Sequence, residues 1–482
     1  MKSAFLIALG ILVVGPATAQ DVPPPPTHVA AKNRAPVDKS ILRVRFPRPK
    51  RYTLPNGLRL LVLEDHKLPT VDFSLSILAG SFFEPKAKTG LASMTASMLD
   101  EGTKTRSSQQ IAVALDRMGA SLSAGADQGA ERAEVSASGL STDTGAILGL
   151  MRDIVRNPVF PEAQFQKVKR QTVAGITGAM KDADTLAEIA TRRALYGDTP
   201  PARVTPSITQ VNALTRADLA AFHAAYYRPN RAILGVVGDV KADDIYKLAL
   251  KALGDWKKGS GPLLASLPAF APQTATKVFV VDRPGSVQTS IRLANLAITR
   301  KSPDFVPFTV MNRILGLSPT SRLNLNIRES KGYTYDVRSV FDAPRYLGAW
   351  VAQTEVRNAV TADTLTQFFN EFRRIETAPA PKAELDAAKR GIVGAFARRM
   401  ESPDILLGMA LTLEEYGLPA DYWDRYPAMV QAVTPAAVQR VARQYIGEGR
   451  LQIVAVGEKS VVEEALKPYG IPETVDVVAG MK

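Results

Sequence analysis

The chain has no cysteine and only three histidines in 482 residues, and these two shortages exclude more chemistry than any motif in it supplies. Without thiols there is no disulfide, no thiolate nucleophile and no thiolate metal ligand. His28, His66 and His223 share no spacing that would let two of them chelate, so each reads as a surface or core histidine. Beyond the N-terminus no apolar run approaches the roughly 18 uncharged residues of a membrane span. No Ser-His-Asp set, P-loop or G-x-G-x-x-G turn is recognisable in the sequence.

What is present begins with an export signal: Lys2, the apolar stretch Ala4 to Val14, and Ala17-Thr18-Ala19 before Gln20. Cleavage there leaves 463 residues (482 − 19), with no cysteine to carry a lipid anchor. The expected location is the periplasm, or the exterior if the source is not Gram-negative. Asp21 to Ser40 is proline-rich and reads as an extended arm. The net charge of +13 falls to +12 once Lys2 leaves, and it is dispersed apart from RVRFPRPKR (43–51). That run lacks interleaved aromatics, so it reads as a solvated basic arm, and no nucleic-acid partner is expected.

From residue 51 onward the chain repeats itself. NPVFPEAQFQKVKR (157–170) returns as TAPAPKAELDAAKR (377–390), which sets Pro161, Lys169 and Arg170 over Pro381, Lys389 and Arg390 at an offset of 220. Tyr196-Gly197 and Tyr416-Gly417 share that offset, and Thr215, Tyr226 and Gly238 fall on Thr434, Tyr445 and Gly457 at 219. An offset this steady over separated segments indicates two similar domains rather than a solenoid. Each repeat mixes β-rich stretches (Arg59 to Leu63, Val71 to Leu78, Ile233 to Val237, Leu451 to Val456) with helical patterns. One such pattern, Ile111, Leu115 and Met118, follows Ser107 and Ser108, either of which can cap a helix. Grouped strands with helices between them predict an α+β fold: two homologous domains, each a largely antiparallel sheet packed with helices. The expected layout is signal 1–19, arm 20–50, first repeat 51–258, linker 259–273 and second repeat 274–482.

GLASMTASMLDEGT (90–103) resembles the zinc-binding helix of the pitrilysin/insulinase peptidases, the inverted zincins, with their H-x-x-E-H signature. Gly90, Leu91, Ala92, Met98, Leu99, Gly102 and Thr103 keep the family frame. Ser93 and Ser97, however, stand at the histidine positions, and Ala96 at that of the general-base glutamate. Zinc takes imidazole, thiolate or carboxylate donors and needs a base beside its water, so these three residues cannot replace the set. The third family ligand, a glutamate on a later helix, falls in TVAGI (172–176), where Ala174 and Gly175 stand. The resemblance therefore implies a vestigial site, no zinc in this chain and no peptide hydrolysis by it alone.

SRLNLNIRESKGYTYDVRSV (321–340) resembles a second family segment, S-R-L-x-x-x-x-R-x-x-x-G-x-x-Y-x-V, through Ser321, Arg322, Leu323, Arg328, Gly332, Tyr335 and Val337. Relatives use the arginine and tyrosine of this segment, carried by the half opposite the zinc, to complete the active site. The resemblance implies that role for Arg328 and Tyr335. Locally, Leu323, Leu325 and Ile327 suit a helix ended by Gly332, with Tyr333 to Val337 β-prone, so a tight turn can bring both residues to one rim. A guanidinium and a phenol donate hydrogen bonds, as the oxyanion formed in peptide hydrolysis requires. Arg322, Glu329 and Lys331 read as packing and ion-pairing residues, and LGLSP (315–319) keeps only Gly316 of the family's glycine-rich loop.

The resemblance implies the zinc-free subunit of a two-subunit exported metallopeptidase acting on unfolded peptides. The zinc would sit in a paralogous partner carrying H-x-x-E-H, a division of labour similar to that of the mitochondrial processing peptidase. The alternative is a non-enzymatic scaffold or peptide-binding shell of the same fold, as in the core subunits of the respiratory bc1 complex.

Overall fold

The computed structural model describes residues 43–260, 266–267 and 269–479. The signal, most of the proline-rich arm with His28, and residues 261–265 and 268 of the expected linker lie outside the described residues. The β-rich stretches of the first repeat form β1 (Lys50–Thr53), β2 (Arg59–Glu64), β3 (Thr70–Ile77), β4 (Ser121–Gly125), β5 (Ala133–Leu140) and β6 (Ala232–Gly238). Those of the second form β7 (Lys277–Asp282), β8 (Gln288–Leu296), β9 (Val337–Phe341), β10 (Ala349–Arg357), β11 (Gln452–Gly457) and β12 (Pro472–Thr474). They build two six-stranded sheets of order β1-β2-β6-β3-β5-β4 and β12-β7-β11-β8-β10-β9. All pairings are antiparallel except β2 with β6, and β7 with β11 and β12, so the α+β class with two largely antiparallel sheets is as the sequence predicts.

The residues that recur between repeats mark the ends of elements. Pro161 and Pro381 cap the helices Glu162–Ala179 and Lys382–Arg399; Thr215 and Thr434 cap Arg216–Tyr226 and Pro435–Tyr445 through their side-chain oxygens. Lys169 Nζ donates to the carbonyls of Asn212 and Leu214, where the helix Ile208–Ala213 ends. Lys389 Nζ donates to the Gln431 carbonyl at the end of Tyr422–Gln431. Each ammonium thus meets the negative end of a helix dipole.

Each sheet also receives a helix from the other repeat. Leu406, Leu407, Ala410 and Leu411 of the helix Pro403–Tyr416 pack on Leu61, Leu63, Ile233 and Val237 of β2 and β6. Leu195 and Tyr196 of the helix Ala183–Tyr196 pack on Ala294, Leu296, Ala349 and Val351 of β8 and β10. Strands β6 and β11 are consequently buried on both faces, which is why they read as unbroken apolar runs. Arg292 of β8 is buried and pairs with Asp184 (2.8 Å) and Glu188 of the incoming helix. Through this exchange residues Leu42–Lys482 form one compact unit.

The basic side chains of the run 43–51 are exposed, but the run is anchored to the fold. Phe46 is 1% exposed among Leu406, Leu407 and Leu411, and its N–H donates to Asp424 (2.6 Å). Arg48 pairs with Asp424, Arg51 with Glu414 and Lys50 with Glu64, so carboxylates of the fold meet three of the run's five cations. The mixture of charge and proline hid an anchoring aromatic.

Candidate functional site

The frame GLASMTASMLDEGT folds as the sequence pattern requires, with a short helix at Leu91–Ser97. Its first turn is held by Glu84, whose carboxylate accepts from the N–H groups of Gly90 (3.0 Å) and Ala92 (2.6 Å). Burial pushes that carboxyl up to about 7, against the lowering effect of those two bonds. Ala96 is 0% exposed and belongs to the core; Ser93 is half-buried and Ser97 is exposed. Ala174 and Gly175 lie on the exposed side of Glu162–Ala179. Hydroxyl, methyl and hydrogen do not fit zinc, and among the described residues no group of three or more histidine, cysteine, aspartate or glutamate side chains is arranged to hold a metal ion.

The two described histidines have other duties. His66 Nδ1 lies 2.6 Å from Asp239 at the surface. His223 Nε2 lies 2.7 Å from the Val155 carbonyl, and the ring stacks on Tyr227 at 4.8 Å. Burial lowers the His223 pKa to about 4, so the imidazole is neutral and its N–H serves the carbonyl.

The second segment brings Arg328 and Tyr335 together. Residues Asn324–Ser330 form a π-helical turn, a rare geometry that concentrates at functional sites. It ends at Gly332, whose φ of +63° allows the Tyr333 N–H to reach back to the Ile327 carbonyl at 3.1 Å. Asn324 ties the turn to β9 by donating to the Val337 carbonyl (2.8 Å). Arg328 then stands with its guanidinium carbon 5.1 Å from the centre of the Tyr335 ring. Tyr335 lies two residues before β9 rather than in it, and is 87% exposed.

That exposure is enforced from both sides. Tyr333 OH donates to Asp363 (2.7 Å), and Lys331 pairs with the same carboxylate (3.3 Å). Thr334 Oγ1 lies within donating distance of the carbonyls of Glu355 (2.8 Å) and Asp336 (2.9 Å), and Thr354 donates to the Asp336 carbonyl (2.8 Å). Tyr335 is thus the apex of a pinned loop, with a phenol and a guanidinium presented to solvent in a fixed relation. Such a pair can hold a carbonyl oxygen or an oxyanion. Beside it runs a polar cleft of about 450 Å³, lined by Arg338, Gln353, Glu355, Arg357 and, from the other repeat, Asp184.

Arg322 is buried and bidentate on Glu384 (2.8 and 2.7 Å), and Glu329 pairs with Arg328 (3.4 Å), in keeping with packing and pairing roles. Gly316 does not belong to a mobile loop. Its carbonyl accepts from the Ser339 N–H (3.2 Å) while Asn312 donates to the Ser339 carbonyl (2.9 Å), so the outer edge of β9 is closed at its centre. The pinning residues Thr354, Glu355 and Asp363 escaped sequence reasoning because β10 and the following helix come into reach only through the sheet. Thr334 and Asp336, flanking Tyr335, were the available local signal.

The structure is a duplicated α+β scaffold with a short helix of small residues in one half and Arg328 stacked beside an exposed Tyr335 in the other. The comparisons give the family. A profile described as insulinase (peptidase family M16) matches residues 59–203, and one described as the peptidase M16 inactive domain matches residues 213–392. The chain belongs to the M16 peptidase family, as a homologue of the inactive type. It is 29% identical over 298 residues to an uncharacterized zinc protease of Mycobacterium tuberculosis, covering 61% of this chain and 67% of that one. It is 25% identical over 366 residues to the non-peptidase homolog YmxG of Helicobacter pylori, covering 74% and 82%. It is 25% identical over 434 residues to the mitochondrial-processing peptidase subunit beta of Blastocladiella emersonii, covering 86% and 90%. The crystal structure of a peptidase M16 inactive domain from Pseudomonas fluorescens superposes with a TM-score of 0.78 at 28% identity, covering 85% of this chain and 98% of that one.

Proposed function

We propose that this chain is the zinc-free subunit of an exported two-subunit metallopeptidase acting on unfolded peptides. Its partner is a paralogue that carries H-x-x-E-H and the zinc. Arg328 and Tyr335 complete the partner's site by holding the scissile carbonyl and the charge that develops on it. The observation that carries this reading is the stacked pair on its pinned loop, because the bonds of the neighbouring residues hold out a tyrosine that is itself exposed and adds little to folding. The N-terminal signal supports export, to the periplasm in a Gram-negative source. A second reading, a non-enzymatic scaffold or peptide-binding shell, is favoured by the likeness to the non-peptidase homolog.

Co-expression with an H-x-x-E-H paralogue from the same source tests both. The pair should bind zinc and cleave peptides, while this chain alone should do neither. Tyr335→Phe should lower kcat about a hundredfold, the usual cost of one oxyanion donor, without changing assembly. Normal turnover in that variant removes the role of Tyr335, and a pair that assembles without any cleavage favours the scaffold.

A further inference from the structure

Each sheet has two edges, and three of the four are guarded. β1 carries Lys50 and Arg51, β12 is three residues long and begins at Pro472, and β9 is closed at its centre by Asn312 and Gly316. Charge, proline, shortness and covering are the ordinary means of keeping a strand edge from pairing with another chain. The fourth edge, β4, has none of them. Its sequence SLSAG holds no charge and no proline, and all five residues pair with β5 without a bulge. Among the described residues, no backbone N–H or carbonyl of Ser121–Gly125 bonds to anything outside that pairing. Half of a strand's backbone groups turn away from its one neighbour, so β4 presents a row of unmade hydrogen bonds. Ser121, Ser123 and Gly125 are exposed beside them, while Leu122 and Ala124 pack inward on the core.

The sheet next to this edge is acidic. Gly125 lies opposite Glu134 of β5, so the two share one face. Glu134 is exposed, and neither its carboxylate nor that of Asp127, two residues beyond Gly125, makes a hydrogen bond or ion pair among the described residues. Partial burial and the charges of Glu415 and Asp127 push the Glu134 pKa up; Arg132 offsets this only in part, because it pairs with Glu415 (3.1 Å). A methyl at Gly125 would meet nothing within 4 Å, so the way from the edge to Glu134 is open.

We propose that β4 takes up an extended peptide as an added strand, with a basic side chain of that peptide reaching over Gly125 to Glu134. Main-chain bonds to the edge supply affinity for any extended segment, and the carboxylate supplies the preference among them. An added strand would lie about 5 Å from β4 and about 10 Å from β5, a span that an arginine or lysine and a glutamate side chain cover together. A second copy of the chain is the poorer occupant, since SLSAG set against SLSAG brings no cation to Glu134. The inference is independent of the role proposed for Arg328 and Tyr335, which lie in the other half.

Fluorescence anisotropy of the purified chain tests it. The probe is a fluorescein-labelled peptide of alternating valine and threonine with one central arginine. Saturable binding is expected, at least tenfold weaker when the arginine is replaced by glutamate. Methylation of alternate peptide nitrogens, which blocks strand pairing but keeps the charge, should abolish it. Glu134→Gln should weaken the arginine peptide tenfold or more and leave the glutamate peptide no weaker. Gly125→Val, which closes the way to Glu134 at a position with room for a side chain, should do the same without altering the melting temperature. An N-methylated peptide that binds like its parent, wild-type affinity in the Glu134 and Gly125 variants, or no anisotropy change would overturn the proposal. So would a dimer in sedimentation that excludes the peptide, since the edge would then belong to a second copy.

Discussion

The crossover from β3 to β4 and the crossover from β8 to β9 occupy the same place in the two repeats, and they have been put to opposite uses. The first carries the helix Leu91–Ser97, where Ala96 has joined the core and the flanking positions are serines. The second carries the π-helical turn and lifts Tyr335 into solvent beside Arg328. The first helix is ordinary packing, since it buries Leu91, Ala92 and Met94. Tyr335, 87% exposed, has no such packing role. The hydrogen bonds from Tyr333, Thr334 and Thr354 order a loop whose apex touches little else. Fold energetics accounts for the first crossover, whereas the second holds out a tyrosine that is 87% exposed.

The sharpest way to break this comparison is to put the family's glutamate back. Ala96→Glu places a carboxylate where exposure is 0%, without a base partner or metal. It should destabilise the chain by about 3 kcal/mol or more, read as a lowered urea midpoint. Wild-type stability in that variant would mean that the position is not packed as its 0% exposure indicates.

The halves should also differ in their response to acid. His223 falls on Ala442 at the 219-residue offset, so only the first half buries an imidazole in this helix. With its pKa lowered by burial from the ordinary 6.5 to about 4, the folded state prefers the neutral ring. On acidification the unfolded chain takes up the proton first. The His223 contribution is therefore complete above about pH 6.5 and is lost as pH falls toward 4, by at most about 3 kcal/mol. His223→Ala should flatten the pH dependence of the melting temperature in that window. An unchanged slope would show that the ring is solvated.

Much of this organisation was legible. The duplication could be read because its recurring residues terminate elements: prolines and threonines at helix starts, a lysine on helix ends, a glycine where β6 and β11 close. Arg328 and Tyr335 could be paired because Gly332 marks the turn between them. What escaped was long-range. Nothing local says that Pro403–Tyr416 crosses to the first sheet, that Phe46 anchors the basic run, or that Asp363 and Glu355 pin the tyrosine loop. Those contacts join residues far apart in sequence, and only the sheet order brings them together.

A smaller effect probes the rim from behind. A methyl at Gly316 would fall well inside contact distance of the Ser339 backbone nitrogen and side chain, at the closed edge of β9. Gly316→Ala should cost about 2 kcal/mol through overpacking and weaken the loop that precedes Arg328. Gly394→Ala, in a helix where a methyl meets nothing within 4 Å, is the control and should be neutral or slightly stabilising.

The smallest difference asks how equal the halves remain. Lys169 and Lys389, 220 residues apart, each donate to carbonyls at a helix end. Their surroundings differ: Lys169 is half-buried with its ammonium 4.8 Å from the Phe165 ring, whereas Lys389 is buried and its pKa is lowered chiefly by that burial. Burial raises the cost of the charge in the second half but also strengthens its bond to the Gln431 carbonyl, and these effects oppose each other. Lys169→Met and Lys389→Met should therefore each cost about 1 kcal/mol, the ordinary value of such a cap. The double variant should show the sum, since the two sites share no partner. Chemical denaturation of the three variants decides the matter. A loss confined to one lysine would show that the duplicated cap has kept its geometry in both halves but its energetic role in only one.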